Sequence, residues 1–197
     1  MKKAIIIFLF MMFGLPGYTQ VTAGVWDAKT ATYTNKQHKI SWTLMEGLNW
    51  IGRPITSKGT LLKVKSEELN TLITLNAEPI QQTSNDSFDV WNEIGMYESE
   101  DYVKLSRAEA KRLGLELKSH KAIRSQLCGR HANKVTIDMS KYFPEYKKNG
   151  HSITYIYQVA SDKYIYSLQV WGILVSEDQL ADYEKFANLI MNGFSFN

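Results

Sequence analysis

Four histidines, one cysteine, scattered serines and a few carboxylate clusters are the side chains of this 197-residue chain that could do catalytic or metal chemistry. A metal site needs ligands at close, fixed spacing, such as two histidines one helical turn apart or a nearby pair of cysteines. His38, His120, His131 and His151 lack that spacing, and Cys128 has no second cysteine to work with. His120 and His131 lie on strands expected to pair, so only these two could approach one another; separate, half-buried imidazoles are the favoured reading. Neither a glycine-rich phosphate loop nor a G-x-S-x-G nucleophile turn occurs. Ser106, within "SRAEAK", reads as a helix cap or solvent contact. Cys128 reads as a small buried hydrophobe rather than a reactive thiol. Glu67 with Glu68, Glu98 with Glu100 and Asp101, and Glu177 with Asp178 fall at element starts, where negative charge favours helix N-termini. Nothing in their spacing sets two carboxylates across a cleft, as glycoside hydrolysis requires. No catalytic residue, cofactor or metal ligand is assigned, and a site converging from distant positions stays open.

The other candidate chemistry is aromatic. "YIYQVASDKYIYSL", residues 155–168, carries two tyrosine-rich runs on either side of a polar centre. In extended chain, alternate residues share a face. Tyr164, Tyr166, Leu168 and Val170 then lie together, as do Ile153, Tyr155, Tyr157 and Val159, while Ile165, Ser167, Gln169 and Trp171 face the other way. One apolar and one mixed face is what an antiparallel sheet needs. Burying a large apolar side chain is worth roughly 1.5–3 kcal/mol, so core packing accounts for the tyrosines without a stacked ligand.

Elements that could position these groups follow from periodicity. "TATYTNKQHKISWTL" reads as a hairpin turning at 35–37, and "MEGLNWIGRPITSKG" as an irregular loop. "TLLKVKS" and "NTLITLNA" are short strand candidates. Helix formers then dominate, predicting a short helix near Phe88 to Ile94 and a longer one from about Asp101 to Leu113, ended by Gly114. Four strands follow, "LELKSHKAIRSQL", "NKVTIDMSKYF", "HSITYIYQVA" and "KYIYSLQVWGIL". Ser176 and Gln179 have capping-box spacing, and Leu180, Tyr183, Phe186, Ala187 and Ile190 form the apolar stripe of a last helix that Gly193 stops.

Lys2 and Lys3, an uncharged run from Ala4 to Phe13, and small or helix-breaking residues up to Thr19 match a secretory leader. Cleavage is expected between Thr19 and Gln20, giving a leader of residues 1–19 and one domain of residues 20–197, exported to a periplasmic or external space. The apolar run is shorter than the roughly 20 residues a spanning helix needs, so no stable membrane span is expected after cleavage. The formal net charge of +3 falls to +1 once Lys2 and Lys3 leave. Nucleic acid is excluded as a partner on that near-neutrality, because no clustered basic excess exists to attract it. The basic residues between Lys111 and Arg130 read as a solvated face.

Several stretches resemble one family. "HKISWTLMEGLNW", "CGRHANKVTIDM" and the closing helix with "GFSF" are similar, by element order across most of Lys39 to Phe196, to PsbP-like domains, whose fold is shared with Ran-binding Mog proteins. This chain lacks the proline that often precedes the early Trp. The resemblance implies an α+β fold, a central antiparallel sheet with helices on its faces, and a non-catalytic role in binding or assembly. The expected function is an exported protein-binding module, with another envelope or secreted protein as partner; the alternative is a small-ligand carrier or hydrolase with a pocket between sheet and helices. The expected contact residues are Trp50, Ile51, Arg53 and Pro54, since exposed Trp and Arg are typical interface anchors. The competing reading of Trp50 is a ring folded onto the sheet end.

Overall fold

The computed structural model describes residues 24–55, 59–80, 88–144 and 148–197. The expected leader and its Thr19–Gln20 junction lie outside the described residues. Among the described residues eleven strands run in chain order: β1 (Val25–Asp27), β2 (Thr32–Asn35), β3 (Ile40–Thr43), β4 (Ile51–Pro54), β5 (Thr60–Ser66), β6 (Thr71–Pro79), β7 (Glu116–Leu127), β8 (Arg130–Phe143), β9 (Lys148–Ala160), β10 (Tyr164–Ser176) and β11 (Phe194–Phe196). Between β6 and β7 a 3-10 turn (Val90–Glu93) leads into α1 (Ile94–Glu98) and α2 (Glu100–Arg112); after β10 a second 3-10 turn (Glu177–Gln179) leads into α3 (Leu180–Asn192). The strands form a small sheet ordered β1-β2-β3-β11 and a large one ordered β4-β5-β6-β10-β9-β8-β7. Every pairing is antiparallel. The expected α+β class holds.

Alternation sorts the large sheet into two faces. On one, Val64, Ile73, Leu75, Tyr155, Tyr157, Val159, Tyr166, Leu168 and Val170 are buried beneath the small sheet and α3. Trp42 on β3 joins these layers: it is fully buried, its indole N–H donates to the Ile190 carbonyl at 2.7 Å, and its ring meets Phe194 edge-on at 6.3 Å. On the other face, Tyr97, Tyr102 and Ala110 pack on Ala122, Val135, Ile137, Met139 and Ile156, so α1 and α2 cover the β7–β8–β9 end. Both tyrosine runs are therefore inside a folded sheet, as their alternation predicts.

Local chemistry fixes the ends. Ser99, not Ser106, caps α2, accepting from the Tyr102 N–H at 3.3 Å. Ser106 is buried in the helix interior, where its hydroxyl donates to the Tyr102 carbonyl and shares a 3.0 Å hydrogen bond with His120 Nδ1. Gly114 follows α2 at φ +69°, a left-handed cap. Gly193 stops α3 for a different reason: a Cβ there would sit 1.8 Å from the Thr43 carbonyl oxygen, so only glycine lets the chain run against β3. Cys128 and Gly129 have φ of 53° and 71° in the two-residue connection between β7 and β8, where positive φ matches the twist of the strands. Cys128 is therefore an exposed turn residue rather than a buried hydrophobe, its thiol donating to the Phe194 carbonyl at 2.8 Å.

The segment expected as a loop around Trp50 contains β4. Gly52 and Pro54 read as breakers, but a sheet edge tolerates both, and Gly52 accommodates the Trp26 ring, whose nearest atoms would lie 2.3 Å from an added Cβ. β7 and β8 pair as expected, yet His120 stands opposite Ile137 and His131 opposite Gln126, so the pairing holds the two histidines apart along the hairpin.

Candidate functional site

The helix-bearing second face of the large sheet has an open half. Register carries two rows of side chains across four strands: Arg53, Lys63, Thr74 and Gln169 in one, Ile51, Lys65, Leu72 and Trp171 in the next. Ile51 is 49% exposed, and Arg53, Lys63 and Lys65 are exposed. Between the rows lies a hollow of about 60 Å³ bordered by Lys63, Leu72, Thr74, Gln169 and Trp171. The indole N–H of Trp171 donates to Ser152 Oγ at 2.6 Å, which fixes that ring at the hollow's rim. Thr74 Oγ1 is buried without a hydrogen-bond partner among the described residues. Lys65 pairs with Glu67 at 2.5 Å, both well exposed, a contact that water screens heavily. The described ion pairs include neither Arg53 nor Lys63.

Of the four expected contact residues, two belong to this face. Trp50 does not: it is 5% exposed, stacks on Phe186 of α3 at 6.4 Å and 13°, and donates its N–H to the Met45 carbonyl at 2.8 Å. Its ring folds inward, as the competing reading had it, because α3 offers a large apolar surface beside β4. Pro54 is half-buried and pairs with Leu62, on the side turned toward the main core. Ile51 and Arg53 remain together. Lys63, Lys65 and Trp171 were missed. The alternation of "LKVKS" could have found the lysines, but only register places them beside Ile51 and Arg53 and in one row with Trp171.

Beneath α3 lies a buried polar cluster. Lys134 is 8% exposed; its ammonium donates to Glu184 at 2.7 Å and to Asn188 at 3.3 Å, with the Tyr155 and Tyr157 rings 5.4 and 5.7 Å away. Nearby, Asp138 holds His151 Nδ1 at 2.8 Å, and Ser140 stands opposite His151 in the β8–β9 register. Serine, histidine and aspartate are the residue types of a hydrolytic triad. A nucleophile needs its base on the hydroxyl and a path for substrate. Ser140 Oγ and His151 Nε2 make no hydrogen bond to each other or to another described group, and Ser140 is 1% exposed. The orienting carboxylate is present without the working contact. Tyr155, Tyr157, Tyr183 and Phe186 fill the space between sheet and α3 where a pocket was the alternative expectation.

His120 and His131 hold structure. Burial lowers the pKa of His120, whose ring meets Tyr102 edge-on at 5.3 Å. His131 stacks on Trp91 at 3.5 Å and binds Asp89 at 2.9 Å. The Trp91 backbone N–H, then His131, hold the Asp89 carboxyl below its usual range. Among the described residues no group of three histidine, cysteine or carboxylate side chains could hold a metal ion.

A second concavity, of about 320 Å³, lies where the β2–β3 and β9–β10 turns, the start of β8 and the end of β11 meet. Its border includes His38, Lys39, Arg130, Asp162, Lys163 and Tyr164. The Arg130 guanidinium lies 4.5 Å over the Phe196 ring and donates to the Ala160 carbonyl at 3.3 Å. His38 is buried against Tyr164 at 4.4 Å, and its Nδ1 shares a 3.2 Å hydrogen bond with the Tyr166 hydroxyl. Burial lowers the pKa of His38 and pushes that of Tyr166 up to about 12. Sequence reasoning missed this concavity, because its residues come from turns distant along the chain.

No family model matches the chain, and no curated protein matches it in sequence. Solved structures do. The chain is similar to cyanobacterial PsbP from Synechocystis, over 92% of this chain and 99% of that one, at 12% identity and a TM-score of 0.48. It is also similar to a Bacteroides thetaiotaomicron structure, over 84% and 48% of the two chains, at 7% identity and a TM-score of 0.43. LpqN, described as involved in cell envelope biogenesis of Mycobacterium tuberculosis, is similar over 79% and 82%, at 13% identity and a TM-score of 0.43. The PsbP-like resemblance read from the sequence thus has a PsbP structure among its matches. The α+β assignment itself rests on the chain's own strand order and helix placement.

Proposed function

We propose that the protein is an exported, non-catalytic module that binds an acidic, partly apolar segment of another envelope or secreted protein across the open half of its large sheet. One observation carries this reading: Lys63 and Lys65 stand between Ile51 and Arg53 on the edge strand and Leu72 and Trp171 further in, a mixed basic and apolar surface where the core beneath is already filled. Tryptophan and arginine are the residue types enriched among interface anchors, and this face carries both. Arg53 and Lys63, which are in none of the described ion pairs, select a partner of opposite sign. The leader-like residues 1–19 support export. No helix among the described residues is long and apolar enough to cross a membrane.

The test is affinity capture from the native envelope and secreted fractions, comparing the natural chain with an Arg53→Glu, Lys63→Glu, Lys65→Glu variant and with Trp171→Ala. The expected result is an acidic protein retained by the natural chain, released by rising salt, and lost from both variants. If the variants retain the same proteins as the natural chain, binding does not use this face and the reading fails.

A further inference from the structure

We propose that the concavity bordered by His38, Arg130, Lys163 and Tyr164 is a binding site for a phosphate monoester group. Lys39, Arg130 and Lys163 bring three positive charges to its border, against Asp162 and the terminal carboxylate of Asn197, so cations outnumber anions there. The described ion pairs include none of these residues, so the excess is not neutralised within the described protein. A phosphate monoester carries about −1.5 to −2 near neutral pH and offers three acceptor oxygens to the three cations, whereas a carboxylate offers two oxygens and a single charge. Lysine and arginine around a concave, partly apolar wall concentrate anions there.

The cations are held by different means. Arg130 is pre-positioned, its guanidinium fixed between the Phe196 ring at 4.5 Å and the Ala160 carbonyl at 3.3 Å. A guanidinium already held in place loses little freedom when it binds a planar pair of phosphate oxygens. Lys39 and Lys163 sit on tight turns. Lys39 has φ 53°, and the Lys163 N–H donates to Ser161 Oγ at 3.4 Å, so the backbones that carry them are set. The floor is aromatic, His38 against Tyr164 against Tyr166. His38 is held in that floor by the hydrogen bond between its Nδ1 and the Tyr166 hydroxyl at 3.2 Å. Aromatic rings beside the charges suit a ligand whose phosphate is joined to an organic body. This site lies apart from the Ile51–Arg53 face, and its proposal does not depend on the partner proposed there.

The test is an NMR titration of the chain in its exported form. The probes are inorganic phosphate, glycerol phosphate, acetate, and vesicles of phosphatidylcholine with or without phosphatidic acid. The expected result is saturable shifts at His38, Arg130, Lys163 and Tyr164 with a dissociation constant of about 1 mM or tighter for a phosphate-bearing probe. Arg130→Gln with Lys163→Gln should weaken that binding about tenfold or more, roughly 1.4 kcal/mol. Both residues are exposed, so melting should fall only slightly, by the loss of the Arg130 contacts with Phe196 and Ala160. Binding of the free phosphates identifies a soluble ligand; binding confined to phosphatidic acid vesicles identifies a lipid headgroup. No saturable shift with any phosphate probe, binding unaltered in the double variant, or acetate binding as tightly as phosphate would each overturn the proposal.

Discussion

Lys134 offers a sharp test of how the core tolerates charge. It is 8% exposed beneath α3, and its ammonium is 2.7 Å from Glu184, whose side chain is half-exposed. Glu184→Gln keeps the size of the partner and removes its charge, leaving a buried cation to the Asn188 oxygen and two tyrosine rings. Opposite charges about 4 Å apart attract by about 4 kcal/mol near a protein surface and about 1 kcal/mol in water. Because one partner is half in solvent, the loss should lie between these limits, about 2 kcal/mol. For a chain of this size that is a fall in Tm of about 4–8 °C. Lys134→Met removes the charge that needs compensation while keeping an apolar stem against Tyr155 and Tyr157. A buried pair replaced by a fitting hydrophobe is often neutral or stabilising. Urea unfolding followed by circular dichroism, with unchanged slope, reads both values. The reasoning is refuted if Glu184→Gln is silent while Lys134→Met destabilises strongly, since Lys134 would then be stabilising by something other than a compensated charge.

Three further outcomes follow from local geometry. Gly193→Ala places a Cβ against the Thr43 carbonyl and should cost about 3 kcal/mol or more, whereas Gly129→Ala meets no atom within 4 Å and should cost only the left-handed penalty of about 1–2 kcal/mol; thermal melts of the two variants measure the gap. Burial holds the pKa values of His38 and His120 below their unfolded value of about 6.5. Below that pH the unfolded chain binds more protons, so stability, full above it, should be lost as pH falls toward the lowered folded values. Melting curves between pH 8 and 5 should show this, and His38→Gln with His120→Gln should flatten the slope, offset by whatever those substitutions cost at pH 8. Cys128→Asn, at a φ that asparagine tolerates better, should raise stability by about 0.5 kcal/mol if the turn preference outweighs the lost thiol contact with Phe194, as read by the urea midpoint.

Most of the fold was legible because period and punctuation agree along most of the chain. The four long strands, both tyrosine faces and the last helix follow from alternation and from the three- and four-residue stripe at Leu180 to Ile190. Capping-box spacing at Ser176 found the start of the turn before α3, where the Gln179 side-chain oxygen accepts from Ser176 at 2.5 Å. What failed were signals whose meaning depends on neighbours. Gly52 and Pro54 break an isolated strand but suit an edge; Gly193 is small because Thr43 is close; Cys128 is exposed because it occupies a turn that usually takes asparagine or glycine. The two concave sites were illegible for a related reason: each is made by register or by turns that meet only once the sheets have formed.

The open half of the large sheet follows from how few helices share that side. Seven strands spaced about 4.8 Å apart span about 30 Å. A helix with its side chains is about 10–12 Å wide and covers two to three strands. The main-core face has enough material, α3 and a whole second sheet. The other has α1, of five residues, and α2, of 13, both packed on the β7–β8–β9 end, so among the described residues the strands from β4 toward β10 exceed what these helices can cover. A free sheet face in water must be polar or be partnered. On β5 the residues turned inward are Leu62, Val64 and Ser66, and those turned outward are Lys63 and Lys65. Those lysines keep the face soluble and repel copies of the same basic surface. They do not remove Ile51, Leu72 and Trp171 from contact with water. Solubility alone calls for the lysines and not for an indole and two aliphatic side chains beside them. That combination is what makes a partner of opposite charge a more economical account of this surface than exposure for its own sake.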